Sequence, residues 1–465
     1  MKQVVIASLP YVETSDPLMA PALLKGVVNK TGKICIAMDL NIESIHEIKK
    51  LDEKIGSKVK NWFLIKENTD CKDTIDAVNK LVDYCFNRII EQSPVYVCLS
   101  LFCNTSYNFN LMLCKRLKEY RPDIKIVLGG SGIYADNRTK KPYAKILLNA
   151  KIIDYYIVGD GEEPLYDLLT ADETPEGINK NEFNTLENLS VQPFADYDDY
   201  NWDLYEIKRI PMYGSRGCVR RCSFCDVYKI WKKFKLRPIS DVLDEMKYQA
   251  ERTGITDFYF RDSLINGSIS EYRKFISLLT EHNSKSEKKL TWNSFFIFRP
   301  QNQMTEEDWK MTGQSGVTWL TIGVESLIER IRLSMKKKFT NEDLDFSIKM
   351  AKKYNVKLQL LLIVGYVNET EEDHLEAMQW LRDNSIYAGD PIIDLSFGGT
   401  LVITDLTDLY DHANDHNVIL GSKPHLWINK TIALDYETRL RRKNELNDLA
   451  TQLGFILGVT ERPVI

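Results

Sequence analysis

The sequence predicts an α/β fold of at least two domains, opening with a doubly wound, Rossmann-like parallel sheet, and three observations predict it. The chain has 465 residues, 44% of them hydrophobic, enough for two or three separate cores at roughly 100–200 residues per domain. From Lys2 to Leu169, strand-length apolar runs alternate with segments of helical periodicity. The apolar runs lead into loops containing Gly or Ser, as buried parallel strands do.

In order, Lys2–Leu9 reads as a strand and Pro21–Lys30 as a short helix. Gly32–Asp39 is a second strand, followed by a helical stretch around Ile42–Leu51. Thr74–Glu91 places Ile75, Val78, Leu81, Val82, Cys85 and Ile89 on one helical face. Val95–Leu101 is a strand, Leu111–Tyr120 a helix and Lys125–Leu128 a strand. Asp154–Val158 is the last strand of this series, and Pro164–Leu169 its helix. Ligands on such sheets sit at the carboxyl ends of the strands. Here those ends supply Pro10 and Tyr11, Ser100 and Leu101, Gly129 and Gly130, and Gly159, Gly161 and Glu162. None forms a dinucleotide fingerprint or a phosphate loop, and the glycines read equally well as turn residues. Residues 171–210 lack periodicity and carry the acidic run Phe194–Tyr200, which reads as a connector.

Composition excludes several classes. Lys plus Arg is 61 against 66 Asp plus Glu, a net charge of −5, so a globally basic nucleic-acid binder is unlikely. With 23 Gly and 15 Pro, neither disorder nor a fibrous architecture is expected. The run Val4–Leu9 is too short for a signal core, and Leu358–Tyr366 falls well short of the roughly 20 residues of a spanning helix. The expectation is a cytoplasmic protein without a membrane partner.

Of nine cysteines, six lie within the first 114 residues and read as small buried hydrophobes. Cys218, Cys222 and Cys225 differ, forming C-x3-C-x2-C in one tight loop. Three thiolates suit three irons of a [4Fe–4S] cluster and leave one iron open. Zinc is the alternative, but it wants a fourth donor, and no Cys or His follows before His282.

This loop, with Phe224 before its last cysteine, resembles the signature of the radical S-adenosylmethionine (SAM) superfamily. The resemblance implies a partial (β/α)6, TIM-like barrel over residues 210–400. Its strands would be Ile210–Gly214, Asp257–Phe260, Thr291–Phe298, Thr318–Val324, Leu358–Val364 and Pro391–Phe397. Ile322-Gly323-Val324-Glu325-Ser326 with Met335-Lys336-Lys337 resembles the fourth-strand motif, and Leu362–Thr370 resembles the fifth-strand segment, with Val367 where Pro is common. The expected domains are 1–175, a linker 176–209, the barrel 210–400, and a mostly helical region 401–465 that closes the barrel through Leu434–Leu453.

The resemblance also implies the chemistry. SAM chelates the open iron, the reduced cluster passes one electron to the sulfonium, and the resulting 5′-deoxyadenosyl radical abstracts hydrogen from an unactivated carbon. Cys218, Cys222 and Cys225 would hold the cluster; Phe224, Asp262, Ser263, Ser294, Arg299, Glu325, Ser326 and Gly365 would lie against SAM. A flavodoxin- or ferredoxin-type reductase would supply the electron to an enzyme acting on a small molecule. The ten basic residues between Lys208 and Arg237 would suit an acidic donor, an anionic substrate or, with Trp231 and Phe234 interleaved, nucleic acid, or read simply as a solvated loop.

With the barrel in view, the front domain resembles the cobalamin-binding domain that precedes many radical SAM cores. Its strand-end residues Pro10, Tyr11, Ser100, Leu101, Gly129, Gly130, Gly159, Gly161 and Glu162 would then face cobalamin. The D-x-H-x-x-G loop that supplies a lower histidine is absent, and His46 is expected at the surface. The resemblance implies methylation of an unactivated carbon. The alternatives are a cobalamin-independent radical enzyme whose front domain docks substrate or partner, and a methylthiotransferase using Cys35, Cys71 and Cys103. His412 and His416 have helical spacing but no third ligand, and read as a solvated helix.

Overall fold

Val4, Val5, Ile6 and Ala7 are at most 1% exposed, so β1 (Gln3–Ser8) is covered on both faces and lies inside its sheet. It pairs in parallel with β2 (Ile34–Asp39) on one side and β3 (Tyr96–Ser100) on the other. With β4 (Lys125–Gly129) and β5 (Tyr155–Tyr156) the order is β2-β1-β3-β4-β5. That is the doubly wound arrangement, with its switch point between β1 and β3. A core of Val4, Ile6, Val28, Val127, Ile157 and Leu165 packs with Cys35 and Cys98. Burial pushes the Cys85, Cys98 and Cys114 thiols up to about 12, so these cysteines serve as packing groups.

The computed structural model describes residues 3–12, 14, 16–64, 71–136 and 142–458. The contacts of these residues divide into two units, the first ending at Pro211 and the second beginning at Met212. Residues 176–209, expected as a linker, are built into the first unit. Lys25 Nζ meets Asp199 at 2.7 Å and Asp196 at 3.0 Å, and Asp199 also accepts from the Ala37 amide at 2.8 Å. Tyr205 donates to Asp39 at 2.9 Å, and Arg209 pairs with Asp16, both buried. His46, expected at the surface, is half-buried, with Nε2 2.8 Å from the Leu204 carbonyl of the same connector. The acidic run that read as a connector therefore neutralises the buried Lys25 of its own unit.

In the second unit, β6 (Ile210–Met212) leads through a small antiparallel hairpin, β7 (Ser215–Arg216) and β8 (Lys235–Leu236), to β9 (Asp257–Phe260). There follow β10 (Thr291–Phe296), β11 (Val317–Glu325), β12 (Leu358–Val364) and β13 (Ile393–Thr400). β9 to β13 are joined by parallel pairings, and the sheet runs in sequence order from β6 to β13. Helices Ile239–Thr253, Ile269–Lys285, Glu306–Gln314, Asn341–Lys353 and Glu371–Asp383 fall between consecutive strands. This is the singly wound order of an open (β/α)6 barrel.

Among the described residues, the region from 401 to 458 mixes helix and short strands. It contains one long helix, Tyr436–Leu453, which packs on β12, β13 and helix Glu371–Asp383. It also holds an antiparallel pair, β14 (Val418–Ile419) with β15 (Ile428–Asn429), and β16 (Ile456–Leu457), which extends the main sheet beside β13. His412 and His416 do not share a helix face: a four-residue helix ends at Asp411 and a 3-10 turn, Ala413–His416, follows. His412 Nδ1 lies 3.2 Å from Asp415 instead. Among the described residues no helix is long and apolar enough to cross a membrane.

Candidate cluster and cofactor site

The three-cysteine loop follows β7 at the carboxyl end of the first barrel strand. Gly217 is at φ +81°, and a Cβ there would lie 2.5 Å from the Lys233 carbonyl, so the loop approaches the hairpin more closely than a side chain allows. Cys222 is buried, while Cys218 and Cys225 are half-buried. Ser223, between the cysteines, anchors the loop at three points. Its amide donates to the Met335 carbonyl at 3.3 Å, its hydroxyl lies 2.7 Å from Tyr366 Oη, and its carbonyl accepts from the Leu409 amide at 3.0 Å. The loop is thus held by the turn after β11, the loop after β12 and the segment near Asp408.

Burial pushes the Cys225 thiol up to about 12 and raises Cys218 and Cys222 as well. The Lys337 and Arg220 charges oppose the rise at Cys222. Such thiols ligate only when a metal displaces their protons. Among the described residues, no three His, Cys, Asp or Glu converge as ligands of one metal ion. A zinc site takes four donors, whereas a four-iron cluster takes one thiolate per iron.

The residues expected around SAM have several positions. Asp262 is enclosed at 1% exposure; it accepts from the Gly214 amide at 2.8 Å and from the Ser215 hydroxyl. Its carboxylate thereby fixes the start of the cluster loop, and burial raises its pKa to about 7. Ser263 beside it is half-buried. Arg299 is turned to structural use as well, donating to the Asn266 carbonyl at 3.1 and 2.7 Å and to the Gly267 carbonyl at 2.6 Å. The Ser326 hydroxyl accepts from the Ile328 amide at 3.2 Å. Ser294, fully buried on β10, has a hydroxyl with no partner, which a ligand's polar group would satisfy.

Gly365, expected against SAM, is at φ +78°, and a Cβ there would lie 2.3 Å from Arg439 Cγ. The glycine admits an arginine. Arg439 is fully buried, with its guanidinium 3.7 Å from the centre of the Trp427 ring. Its Nη1 donates to the Trp427 carbonyl at 3.0 Å.

Glu325 ends β11 at φ +69°, a conformation costly for a residue with a Cβ. Its Oε1 lies 3.1 Å from Lys337 Nζ, which also donates to the Gly323 carbonyl at 2.7 Å. Lys337 Nζ is 5.8 Å from the centre of the Phe224 ring, inside the cysteine loop. Burial lowers the Lys337 pKa, but Glu325, Cys222 and Cys225 outweigh it and the net shift is upward. The sequence places Lys337 in the fourth-strand motif, as part of Met335-Lys336-Lys337, without a role of its own.

In the first unit the expected residues gather at the carboxyl edge of the sheet. Gly130, at φ +102°, packs so closely that a Cβ would lie 2.2 Å from the Leu101 carbonyl. Gly159, at φ +93°, would bring one to 2.4 Å from the Asn184 carbonyl. The Leu101 amide donates to the Gly129 carbonyl at 2.8 Å. Tyr11 stacks on Phe63 with ring centres 5.6 Å apart, and its carbonyl accepts from Thr105 at 3.0 Å. Pro10 precedes it in the same loop, and Ser100 ends β3. Gly161 caps helix Glu162–Thr170, whose first residue, Glu162, is buried. Ser106, in the turn after β3, is fully buried with a hydroxyl lacking a partner. His46, the histidine of this unit's sequence, has its Nε2 2.8 Å from the Leu204 carbonyl. The cysteines of the methylthiotransferase alternative do not converge. Cys35 lies in the core, Cys71 precedes helix Lys72–Ile90, and Cys103 meets Thr105 in the loop after β3.

Comparison with known proteins bears on both units. Residues 212–381 match the family model of the Radical SAM superfamily. The anaerobic magnesium-protoporphyrin IX monomethyl ester cyclase of Rubrivivax gelatinosus is 25% identical over 292 residues, 57% of this chain and 50% of that protein. The bacteriochlorophyllide d C-12(1)-methyltransferase of Chlorobaculum tepidum is 28% identical over 207 residues, 44% of each chain. The chain thus spans about half the length of these curated relatives. The structure of TsrM from Kitasatospora setae, a radical S-adenosylmethionine methyltransferase with cobalamin and a [4Fe–4S] cluster bound, superposes with a TM-score of 0.68. That match covers 99% of this chain and 93% of TsrM at 14% identity. The Radical SAM match thus falls within the second unit, and the chain shares the α/β fold of TsrM.

Proposed function

We propose that this radical SAM enzyme holds a [4Fe–4S] cluster on Cys218, Cys222 and Cys225, binds cobalamin at the carboxyl edge of the first sheet, and methylates an unactivated carbon of a small molecule. The observation that carries the reading is the three-thiol loop at the head of a singly wound barrel, in a chain whose whole fold follows that of TsrM. Bound together, the cluster would supply the electron that cleaves SAM, and cobalamin the methyl group.

The chain's own residues bind, orient and exclude water. The cysteines hold three irons, and Ser223 with Tyr366 fixes the loop between them. Asp262 sets the loop's approach by holding Gly214 and Ser215. Phe224, Ser294, Glu325 and Ser326 are the groups we assign to the SAM side, with the unpartnered Ser294 hydroxyl as the open donor. In the first unit, the loops at Tyr11, Leu101, Gly130 and Gly159 form the edge we assign to cobalamin, and the orphaned Ser106 hydroxyl belongs to the same edge.

Anaerobic incubation of the cluster-loaded protein with SAM and a reductant tests the reading. The wild type should release 5′-deoxyadenosine, and Cys222→Ala should release none while its far-ultraviolet circular dichroism stays unchanged. A loaded wild type that never cleaves SAM would remove the assignment.

A further inference from the structure

Lys337 stands apart from the rest of the basic composition around the site. It is one of three consecutive lysines, yet its side chain is only 11% exposed. Three backbone features converge to place it. Gly323 leaves the space that the pair occupies: a Cβ there would lie 2.2 Å from Glu325 Oε1 and 3.1 Å from Lys337 Nζ. Glu325 and Lys336 both adopt positive φ, +69° and +64°, conformations that tertiary contacts must hold in place. The Met335 carbonyl, two residues before Lys337, accepts from the amide of Ser223 between the ligand cysteines at 3.3 Å. The turn that carries the ammonium is therefore bonded to the loop that carries the thiols.

We propose that Lys337 is a positioning residue that fixes a positive charge beside the cluster, and that it holds the cluster's reduction potential up. The inference rests on the reading that Cys218, Cys222 and Cys225 hold a [4Fe–4S] cluster. Reduction adds one electron to a group already bearing thiolate charge, in a region where burial weakens solvent screening. A fixed cation there favours the reduced state. Glu325 opposes it, and the 3.1 Å contact keeps the opposition partial by sharing the carboxylate with Lys337. Removing the lysine alone leaves the carboxylate uncompensated beside the thiolates, so the two changes add in the same direction. Removing the carboxylate alone does the reverse.

The test is a potentiometric titration of reconstituted protein without SAM, followed by electron paramagnetic resonance. Lys337→Met should make the one-electron reduction at least about tenfold less favourable, a midpoint lowered by about 59 mV. Lys337→Arg should stay near the wild-type value, and Glu325→Gln should move the midpoint upward. Equal midpoints for the wild type, Lys337→Met and Glu325→Gln would overturn the inference. Should Lys337→Met fail to load, the upward shift in Glu325→Gln decides alone, and its absence overturns the inference. A wild type that binds no cluster at all would instead refute the cysteine assignment on which the inference rests, a distinct outcome read from iron content before any titration.

Discussion

Asp262 shows how a residue placed by motif can serve a neighbouring purpose. It sits at the end of β9, where a barrel's ligand groups belong, but its oxygens are taken by Gly214 and Ser215. Burial is the larger influence on it, outweighing the hydrogen bonds and the Arg237 charge, and its pKa rises to about 7. An unfolded aspartate titrates near ~3.9. Between those values the unfolded chain gives up a proton that the folded one retains, so this group's contribution to stability falls as pH rises from about 4 to about 7. It is level below and above that window. The difference in urea midpoint between wild type and Asp262→Asn should therefore move in the variant's favour across those pH units. A difference independent of pH would show that the carboxyl titrates normally. Gly365 teaches a related lesson: positive φ correctly marks the position as special, but the group it admits is Arg439.

Among the elements, helix Tyr436–Leu453 was legible as a helix and not as an anchor. The sequence assigns its arginines no partners, yet Arg439 and Arg442 are at most 1% exposed. Arg442 Nη1 donates to the Glu369 carbonyl at 2.8 Å and pairs with its carboxylate at 3.4 Å. Glu369 in turn accepts from the Gly365 and Tyr366 amides at 3.1 and 3.3 Å, which fixes the loop after β12. A buried carboxylate stripped of its cation costs about 3–5 kcal/mol. Arg442→Met should lose stability on that scale in chemical denaturation, and Arg442→Met with Glu369→Gln should recover part of it. Equal losses in the single and double variants would mean that packing, not charge, sets the cost. The strands and helices that carry motifs were readable because buried parallel strands are uninterrupted apolar runs. Helices Glu53–Phe63, Ile269–Lys285 and Glu371–Asp383 were passed over, although Thr370 and Asp373 form a capping box at the last of them. Their stretches are charged, and charge masked the periodicity. β16 could not be read at all, because two residues carry no period.

At the scale of the whole molecule, the chain joins two sheets of different winding, and the proposed function assigns the strand ends of each to a different cofactor. The barrel's cysteines were readable in sequence because three thiols at fixed spacing have few other uses in one loop. The front edge was readable only as order, since its glycines answer to backbone packing: Gly130 stands against the Leu101 carbonyl and Gly159 against Asn184. That same packing makes the proposed cobalamin edge separable from the cluster. Alanine at Gly130 meets both a forbidden φ and a carbonyl 2.2 Å away, so the loops after β3 and β4 must part, at a cost of about 1–3 kcal/mol. Cys222→Ala leaves those loops untouched. After reconstitution and exposure to hydroxocobalamin, the wild type should retain both iron–sulfur absorption and a corrinoid band, the latter in the base-off form expected without a lower histidine. Cys222→Ala should keep the corrinoid and lose the cluster, and Gly130→Ala the reverse. A wild type that retains the cluster and cleaves SAM but releases all corrinoid would turn the front domain into a docking platform. Cobalamin-independent radical chemistry would then be the function to pursue.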